Sequence, residues 1–402
     1  MPDTSILYLS YDGMTDPLGQ SQVLPYLTSL SRRQYKIIIV SAEKKSNFEK
    51  RKNKIDSILK DSEGNIEWHP IKYTKKPPIL STLWDILKLT KKAKELHKIH
   101  HFRIIHCRSY IAATVGFNLS KKLNIKWIFD MRGFWADERV DGGLWPQNKF
   151  IYRLLYRYFK KKELQFLNHA NTIVVLTHSA AKVIKTWNPE LESALTVIPC
   201  CVDTQHFTPS RNIESKEKDF KLVYLGSIGT WYLLDEMLDF FNCLKSKLPS
   251  ARFLIVTTDD AKMIYEKAKT KSIKLSDIEV KSAERSEIPE ILQNCDASIF
   301  FIKPSFSKKG SSATKMGEIL AMKLPIVTNK DVGDHQYLFE NFKCGVLVEN
   351  FNTESYLKSV DELLVFIEST PKDLLRETAQ NYFSLEKGVE LYHSIYQTLS
   401  IN

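Results

Sequence analysis

The first half of the chain alternates short apolar runs with segments of helical periodicity. The runs are mostly continuous, as expected for parallel strands that are covered on both faces. Between them, apolar residues recur at helical spacing, first at Val23, Leu24, Leu27 and Leu30, and later at Trp84, Leu87 and Leu89. This rhythm predicts a doubly wound α/β domain. Its predicted strands are 6–9, 37–40, 66–71, 104–106, 127–130, 172–176 and 195–198.

A polar segment separates this half from a second half of the same kind. Residues 203–221 carry many charges, a proline and no hydrophobic period, which is typical of a linker. Strands are then predicted at 222–225, 253–257, 278–281, 298–301, 326–328 and 346–348. The helices between them are predicted at 232–248, 260–270, 287–294, 314–322 and 353–367, and a long helical stretch begins near 371.

The pattern therefore predicts two Rossmann-like, doubly wound domains. The first covers 1–203, the linker covers 204–220, and the second domain covers 221–384. A helix over about 385–402 is a candidate to pack back on the first domain. Open α/β sheets bind ligands at the carboxyl ends of their strands, so we expect a central cleft between the two domains.

Composition supports two folded domains and narrows the class of protein. The 402 residues are 43% hydrophobic and 11% aromatic, which excludes global disorder. Six scattered cysteines without a CxxC pair indicate neither a zinc site nor a disulfide framework, and favour a reducing compartment. The start of the chain has no signal-peptide pattern, and no run approaches the ~20 apolar residues of a membrane span. We expect a cytoplasmic protein.

The net charge of +11 is divided unevenly. Residues 1–200 hold 33 Lys/Arg against 18 Asp/Glu, whereas residues 201–402 hold 25 against 29. A basic first half attracts anionic lipid or nucleic acid. The alternative is lysine-rich solvated surface. No groove-reading motif is present, so a nucleic-acid partner is not expected.

A segment near the middle of the first half combines basic and aromatic residues. Residues 149–166 interleave Lys and Arg with Tyr, Phe and Leu at helical spacing. Such a helix can rest on an anionic bilayer. A core helix with a basic outer face would show the same pattern.

The segment 302–329 is the richest in candidate chemistry. A predicted strand runs into a loop of Ser, Lys and Gly, and a helix starts near Thr314. Exposed N–H groups at a helix start form an anion site where small residues allow close approach. Glu318 lies one turn into the helix, where it would accept hydrogen bonds from ribose hydroxyls, or else simply balance the helix dipole. The candidate donor-binding residues here are Lys303, Ser312, Thr314, Lys315 and Glu318, with Lys308 and Lys309 adding charge.

A glycine turn at 226–229 lies at the same edge of the second sheet. Gly226, Ser227 and Gly229 follow a predicted strand and precede a predicted helix, so they are further candidates for donor binding. Glycines also serve simple strand-to-helix turns. The third glycine of the dinucleotide fingerprint is absent, so NAD binding is not supported.

In the first half, polar residues follow two neighbouring strands. Asp130 and Arg132 lie just after one strand, where a cleft-facing acid, base or phosphate ligand is expected. The alternative is a structural salt bridge between them. The acceptor-side candidates are Gly19 and Gln20, in the Gly/Pro-bearing loop 12–20, and His106 and Arg108, at the end of the preceding strand.

The order of these segments resembles family 4 of the retaining glycosyltransferases, which have the GT-B fold. The resemblance runs over nearly the whole chain, through DPLGQSQVLPYLTSL, IIHCRSY, FDMRGFW, VIPCCVDTQHF, LVYLGSIGT and TKMGEILAMKLPIVTN. It implies transfer of a sugar from a nucleotide-diphosphate sugar (UDP or GDP) to a lipid-linked or oligosaccharide acceptor, with retention. Similar members assemble surface polysaccharides, lipopolysaccharide or capsule at the cytoplasmic membrane face.

The chain departs from the family pattern at several positions. Of the family's two glutamates spaced eight apart, the second matches Glu318, whereas the first falls at Gly310. Ser227 replaces the family's phosphate-binding arginine, and the lysine position is also lost, so Lys315 and Lys303 are expected to supply this charge. The family's histidine after the fifth strand is Asp130 here. These departures leave a catalytically inactive GT-B binding partner as the alternative.

No cofactor is expected for the reaction. Electrostatic stabilisation of the departing diphosphate by protein groups replaces a metal ion in this interpretation. A DxD ligand pair is not evident, since Asp259 and Asp260 are adjacent and isolated. The expected catalytic residues are Asp130 and Arg132, and no metal ligand is assigned.

Overall fold

The computed structural model describes residues 4–60, 62, 64–210 and 219–401. The chain divides into two compact units. Unit 1 comprises Met1–Pro199 and Leu385–Asn402, and unit 2 comprises Cys200–Ser384. Residues 211–218 of the predicted linker lie outside the described residues, and residues 204–210 belong to unit 2.

Unit 1 is built on a seven-stranded parallel sheet in the order β3-β2-β1-β4-β5-β6-β7. The order reverses between β1 and β4, which makes this pair the switch point where a doubly wound sheet binds ligands. The strands are β1 (Thr4–Ser10), β2 (Tyr35–Glu43), β3 (Ile66–Lys72), β4 (Ile104–Arg108), β5 (Lys126–Asp130), β6 (Thr172–Val175) and β7 (Leu195–Val197).

Helices cover both faces of this sheet. They are α1 (Pro17–Gln22), α2 (Leu24–Ser31), α3 (Lys45–Lys60), α4 (Leu80–His100), α5 (Ser109–Leu123), α6 (Trp135–Asp141), α7 (Phe150–His169), α8 (His178–Trp187) and, from the far end of the chain, α16 (Leu385–Ile401). α5 packs between α4 and α7 on one face, while α16 packs against α2 and β4 on the other. Every residue of β4 is buried because both faces of this strand are covered.

Unit 2 repeats the architecture with a six-stranded parallel sheet, in the order β10-β9-β8-β11-β12-β13. Its switch point lies between β8 and β11. The strands are β8 (Lys221–Leu225), β9 (Arg252–Val256), β10 (Ile278–Lys281), β11 (Ala297–Ile299), β12 (Ile326–Asn329) and β13 (Gly345–Val348). The helices are α9 (Leu234–Lys247), α10 (Ala261–Thr270), α11 (Ile288–Gln293), α12 (Thr314–Ala321), α13 (His335–Asn341), α14 (Thr353–Ser369) and α15 (Lys372–Thr378).

All thirteen predicted strands are confirmed, with ends that shift by no more than three residues. The long helical stretch predicted from about 371 consists of more than one helix. It breaks at Ser384, which is extended (φ −67°, ψ 140°) and pairs with Val202 in an isolated parallel bridge. The chain leaves unit 2 at this break, and α16 begins in unit 1.

The apolar residues that showed helical periodicity in α4 do not all pack inward. Trp84 is 58% exposed and Leu87 is 61% exposed, whereas Leu89 is fully buried. The buried residues of α4 include Asp85, Leu89, Ala93 and Leu96. A buried carboxylate therefore lies on the inward face of this helix among apolar residues.

Candidate functional site

The glycine turn after β8 is held in one conformation by its own backbone and by neighbouring side chains. Gly226 has φ 131°, in the region that favours glycine, and its N–H donates to the carbonyl of Val256 at 3.0 Å. The hydroxyl of Tyr224 donates to the carbonyl of Ser227 at 2.5 Å, and Asp259 accepts from the N–H of Ile228. A ligand at the carboxyl edge of this sheet would meet a preformed loop.

Lys315 lies against this turn, and its side chain is 9% exposed. A Cβ built on Gly226 would lie 2.6 Å from the Lys315 Nζ, so any other residue would force the ammonium to move. Nζ lies 3.7 Å from the ring centre of Tyr232 and 4.5 Å from that of Tyr224. It makes no hydrogen bond within the described part of the chain. Burial lowers the pKa of Lys315 to about 7, although nearby Glu318 acts in the opposite direction.

A buried cation without an acceptor is costly, and an anion that arrives beside it relieves that cost. Lys315 is also the second residue of α12, whose first turn carries backbone N–H groups without a partner in the helix. The residue preceding the helix, Ala313, offers no capping side chain. The arrangement of glycine turn, helix start and buried ammonium is suited to a phosphate group.

Glu318 follows one turn later on α12 and is 6% exposed. Its Oε1 accepts a hydrogen bond from Nη1 of Arg285 at 2.7 Å. No other hydrogen bond of this carboxylate is found among the residues described, so Oε2 can accept from a ligand. Arg285 was missed in the sequence, because it lies in a polar stretch 33 residues away that carries no motif.

The other predicted donor residues are arranged around the same edge. Lys303 is exposed, and its N–H donates to the carbonyl of Trp231 at 2.8 Å, which joins the loop after β11 to the glycine turn. Lys308 is buried with its Nζ 3.7 Å from the ring centre of Trp231. Ser312 Oγ accepts from the N–H of Cys200 at 3.1 Å. Ser227 and Gly229 are exposed, Thr314 is partly exposed, and Gly310 is buried.

In unit 1, the loop after β1 is organised by Glu43, which sequence reasoning also missed. This buried carboxylate ends β2 and accepts from the N–H groups of Met14 (2.7 Å) and Thr15 (3.1 Å), from the Thr15 hydroxyl and from Ser41 Oγ. The position of Glu43 at the carboxyl end of β2 was the one signal in the sequence that could have identified it. Gly19 packs against the loop so closely that a Cβ there would lie 2.2 Å from the carbonyl oxygen of Gly13. The side chain of Gln20 donates to the Thr15 carbonyl at 3.2 Å.

Asp130 and His106 lie beneath this edge in a buried network. Asp130 is 1% exposed, and its Oδ2 accepts from the hydroxyl of Tyr392 in α16 at 3.1 Å. Nε2 of His106 lies 3.6 Å from the same oxygen, and Nδ1 of His106 bonds the hydroxyl of Tyr396 at 2.7 Å. Nη1 of Arg132 lies 3.7 Å from Asp130 Oδ1.

The charges in this network are set by competing effects. Burial acts to raise the pKa of Asp130, but Arg132, His106 and Arg108 together hold the pKa below its usual value. Burial lowers the pKa of His106 despite the neighbouring carboxylate. Arg108 is also buried, with Nε 3.4 Å from Asp12 Oδ2 in the loop after β1. An ionised Asp130 therefore holds Arg132 and a neutral His106 in place below the edge of the sheet.

Two family models together span most of the chain. Residues 21–206 match the model for glycosyltransferase family 4, and residues 207–369 match the model for glycosyl transferases group 1. The chain belongs to the glycosyltransferases of the family 4 type. The predicted family and the predicted GT-B fold are both confirmed. A comparison with curated protein sequences finds no significant match to this glycosyltransferase.

Solved structures support the fold of this glycosyltransferase at low sequence identity. It superposes on sucrose-phosphate synthase from Thermosynechococcus elongatus with a TM-score of 0.71 at 14% identity, covering 98% of this chain and 99% of the other. The Anabaena protein HepE, solved with UDP-glucose, gives 0.67 at 12% identity and covers 98% and 99%. WaaG, a glycosyltransferase involved in lipopolysaccharide biosynthesis, gives 0.60 at 13% identity and covers 96% and 99%.

Among the described residues of this glycosyltransferase, no helix combines the length and apolarity needed to cross a bilayer.

Proposed function

We propose that this glycosyltransferase moves a hexosyl unit from a UDP- or GDP-sugar to a lipid-linked or saccharide acceptor, with retention of anomeric configuration and without a metal ion. The observation that carries the donor part of the proposal is the buried ammonium of Lys315, which lacks an acceptor among the described residues and lies against the Gly226 turn. A diphosphate supplies the missing negative charge. HepE, which shares the fold, was solved with UDP-glucose, and this supports a nucleotide-sugar donor.

In the proposed donor site, two side chains of α12 bind different parts of the nucleotide. Lys315 and the free N–H groups at the helix start hold the diphosphate and stabilise the charge that develops on it as the sugar departs. Glu318, fixed by Arg285 through one oxygen, accepts from the ribose hydroxyls through the other. Lys303, Ser312 and the exposed backbone at Ser227 and Gly229 line the same edge.

We propose that the acceptor binds unit 1 at the loop held by Glu43, beside Gly19, Gln20 and Arg108. The acceptor oxygen bonds to the anomeric carbon on the face that the diphosphate leaves. The bond from that carbon to the diphosphate oxygen breaks, and the departing diphosphate takes the hydroxyl proton, so no protein nucleophile is needed. Burial of Asp130 favours a positioning role, in which it orients Arg132 and His106 rather than touching the sugar. Arg132 is then the group of this pair that meets the substrate.

Calorimetric titration with UDP and GDP tests the donor site. We expect Lys315→Met to abolish detectable binding, and Lys309→Met, an exposed lysine in the same segment, to leave it unchanged. With the correct donor, Glu318→Ala should raise the KM and lower the turnover. Unchanged kinetics of Glu318→Ala would refute its assignment, and tight nucleotide binding by Lys315→Met would refute the diphosphate site.

A catalytically inactive binding partner is the second candidate, favoured by Gly310 and Ser227 at positions where the family carries charged residues. A screen of purified protein against UDP-, GDP- and TDP-sugars by thermal shift separates the two candidates, because a bound ligand raises the Tm. Absence of binding to every nucleotide supports the inactive form. Binding followed by sugar transfer to a lipid-linked acceptor supports the enzyme.

We further propose that the enzyme acts in polysaccharide, lipopolysaccharide or capsule assembly, and that unit 1 rests on the anionic inner face of the cytoplasmic membrane. Helices α4 and α7, on one face of the sheet of unit 1, support the membrane proposal. Exposed apolar residues occur on α7 beside Arg153 and Arg157, and on the first half of α4 beside Lys91. They are Phe150, Ile151, Leu154 and Tyr158 on α7, and Leu80, Leu83, Trp84 and Leu87 on α4.

Co-sedimentation with vesicles tests the membrane proposal. We expect binding at low salt to vesicles that contain phosphatidylglycerol and little binding to phosphatidylcholine alone, because each surface Lys or Arg adds about 1 kcal/mol near an anionic bilayer. Leu154→Ser and Trp84→Ser should each weaken binding about tenfold, as expected when one apolar side chain no longer enters the bilayer. Leu391→Ser, on α16, is the control. Equal binding by all three variants would contradict the proposal.

A further inference from the structure

Three side chains with metal-ligating atoms meet at the edge of the sheet in unit 1. Glu67 and His69 lie two residues apart on the edge strand β3, so their side chains point to the same face. His100 is the last residue of α4, which packs on that face. One ligand atom from each of these residues lies within 4.8 Å of both of the others.

The spacing of these atoms fits a single small cation. Nε2 of His100 lies 3.2 Å from Oε2 of Glu67, and Nε2 of His69 lies 3.5 Å from the same oxygen. Zinc binds imidazole nitrogen and carboxylate oxygen at about 2.0–2.1 Å in tetrahedral geometry, which places neighbouring ligand atoms about 3.3 Å apart. These two separations lie within about 0.2 Å of that spacing, and the third pair of ligand atoms lies within 4.8 Å.

The histidine side chains have few other partners. Nε2 of His69 is shielded from solvent and makes no hydrogen bond within the described ranges, and the His100 side chain is only 9% exposed.

Lys36 contacts the same carboxylate through its other oxygen. Its Nζ lies 2.8 Å from Glu67 Oε1, whereas the two histidines approach Oε2. A hydrogen bond to the second oxygen of a ligating carboxylate orients that ligand. The positive charge of Lys36 also repels a cation, so it reduces affinity while it fixes geometry.

We propose that Glu67, His69 and His100 form a binding site for a divalent first-row transition metal of the zinc type, with water completing the coordination. Two imidazoles and one carboxylate suit zinc, cobalt, nickel or copper, whereas magnesium and calcium prefer all-oxygen sites. Helix α4 starts at the carboxyl edge of the sheet and ends with His100 at the opposite edge. The site therefore lies away from the carboxyl edge. The bound ion pins the end of α4 to the edge strand and takes no part in sugar transfer.

Metal binding to the full chain is measured by calorimetric titration of Zn²⁺ into chelator-treated protein and by metal analysis after dialysis. We expect one ion per chain, a rise in Tm with Zn²⁺ and no rise with Mg²⁺. His69→Ala and His100→Ala should each weaken binding by at least about tenfold. His101→Asn removes a neighbouring histidine that is not a ligand and keeps the left-handed conformation at that position, so it should bind as the wild type does.

Lys36→Met distinguishes a metal-binding site from a cluster that only stabilises the fold. Removing the ammonium should tighten Zn²⁺ binding, since the charge next to the ligands is lost. Binding that persists in the His69→Ala, His100→Ala double variant, or a wild type that takes up no zinc, would overturn the proposal. UDP binding and sugar transfer should be the same with and without zinc.

Discussion

The buried ammonium of Lys315 predicts that donor binding takes up a proton. In the free protein its pKa is about 7, against an ordinary value of 10.5. A diphosphate beside the ammonium favours the charged form and raises this pKa. Return to the ordinary value would correspond to about 5 kcal/mol of interaction with the ligand.

The size of the uptake follows from the two pKa values. Near pH 8.5, only about 3% of the free protein carries a charged Lys315, whereas nearly all of the complex does, so binding takes up about one proton. Near pH 6 the lysine is already charged, and its own uptake falls to about a tenth of a proton. The terminal phosphate of UDP has a pKa near 6, as phosphate monoesters do, so it contributes no proton at the higher pH.

Calorimetry in two buffers of different ionisation enthalpy measures this quantity directly. At about pH 8.5, the difference in observed binding enthalpy between the buffers should equal about one proton times the difference in their ionisation enthalpies. Lys309→Met should behave as the wild type does. The reasoning is refuted if UDP binds at this pH without proton uptake, or if Lys315→Met still binds and takes up the same number of protons.

Three other substitutions test the structure around the two sites. Glu43→Gln replaces two acceptor oxygens by one, so a backbone N–H group of the loop is left facing the amide NH₂. Chemical denaturation should show that the free energy of unfolding falls by about 3 kcal/mol. Gly226→Ala should displace the Lys315 ammonium and abolish UDP binding in calorimetry. Burial lowers the pKa of His335 to about 4, so the folded protein resists protonation of this ring more than the unfolded chain does. The free energy of unfolding should therefore be highest above pH 6.5 and should fall by up to about 3 kcal/mol as the pH falls to about 4. His335→Gln should flatten this part of a denaturation-against-pH profile.

The strands were predictable because a short, continuous apolar run between turn signals rarely forms anything but a buried strand. Runs such as 37–40 must be covered on both faces, and the structure covers them with helices from either side. Helix α4 was harder, because Leu80, Leu83, Trp84 and Leu87 form an outer apolar stripe with the same helical spacing that a core face has. Periodicity finds such a stripe but does not say which side of the helix faces the core.

The sequence predicted site residues where the chemistry is local along the chain. Lys315 and Glu318 lie in one segment with a helix start, so the segment itself pointed to an anion and a ribose. The rings of Tyr224 and Tyr232 that enclose the Lys315 ammonium come from about 90 residues earlier, and no local pattern joins them to it. The partner of Asp130 in α16 lies 262 residues away. Contacts of this kind are set by the tertiary fold, so a single sequence carries no signal for them.

The return of α16 to unit 1 has a consequence for synthesis on the ribosome. Tyr392 and Tyr396 form hydrogen bonds with Asp130 and His106, and these tyrosines are translated after the whole of unit 2. Until they emerge, the nascent chain exposes the faces of α2 and β4 that α16 later covers. Unit 2 needs no residue beyond Ser384, so it is the part whose chain is complete first. The N-terminal unit is thus the last to finish folding, against the direction in which the chain is made.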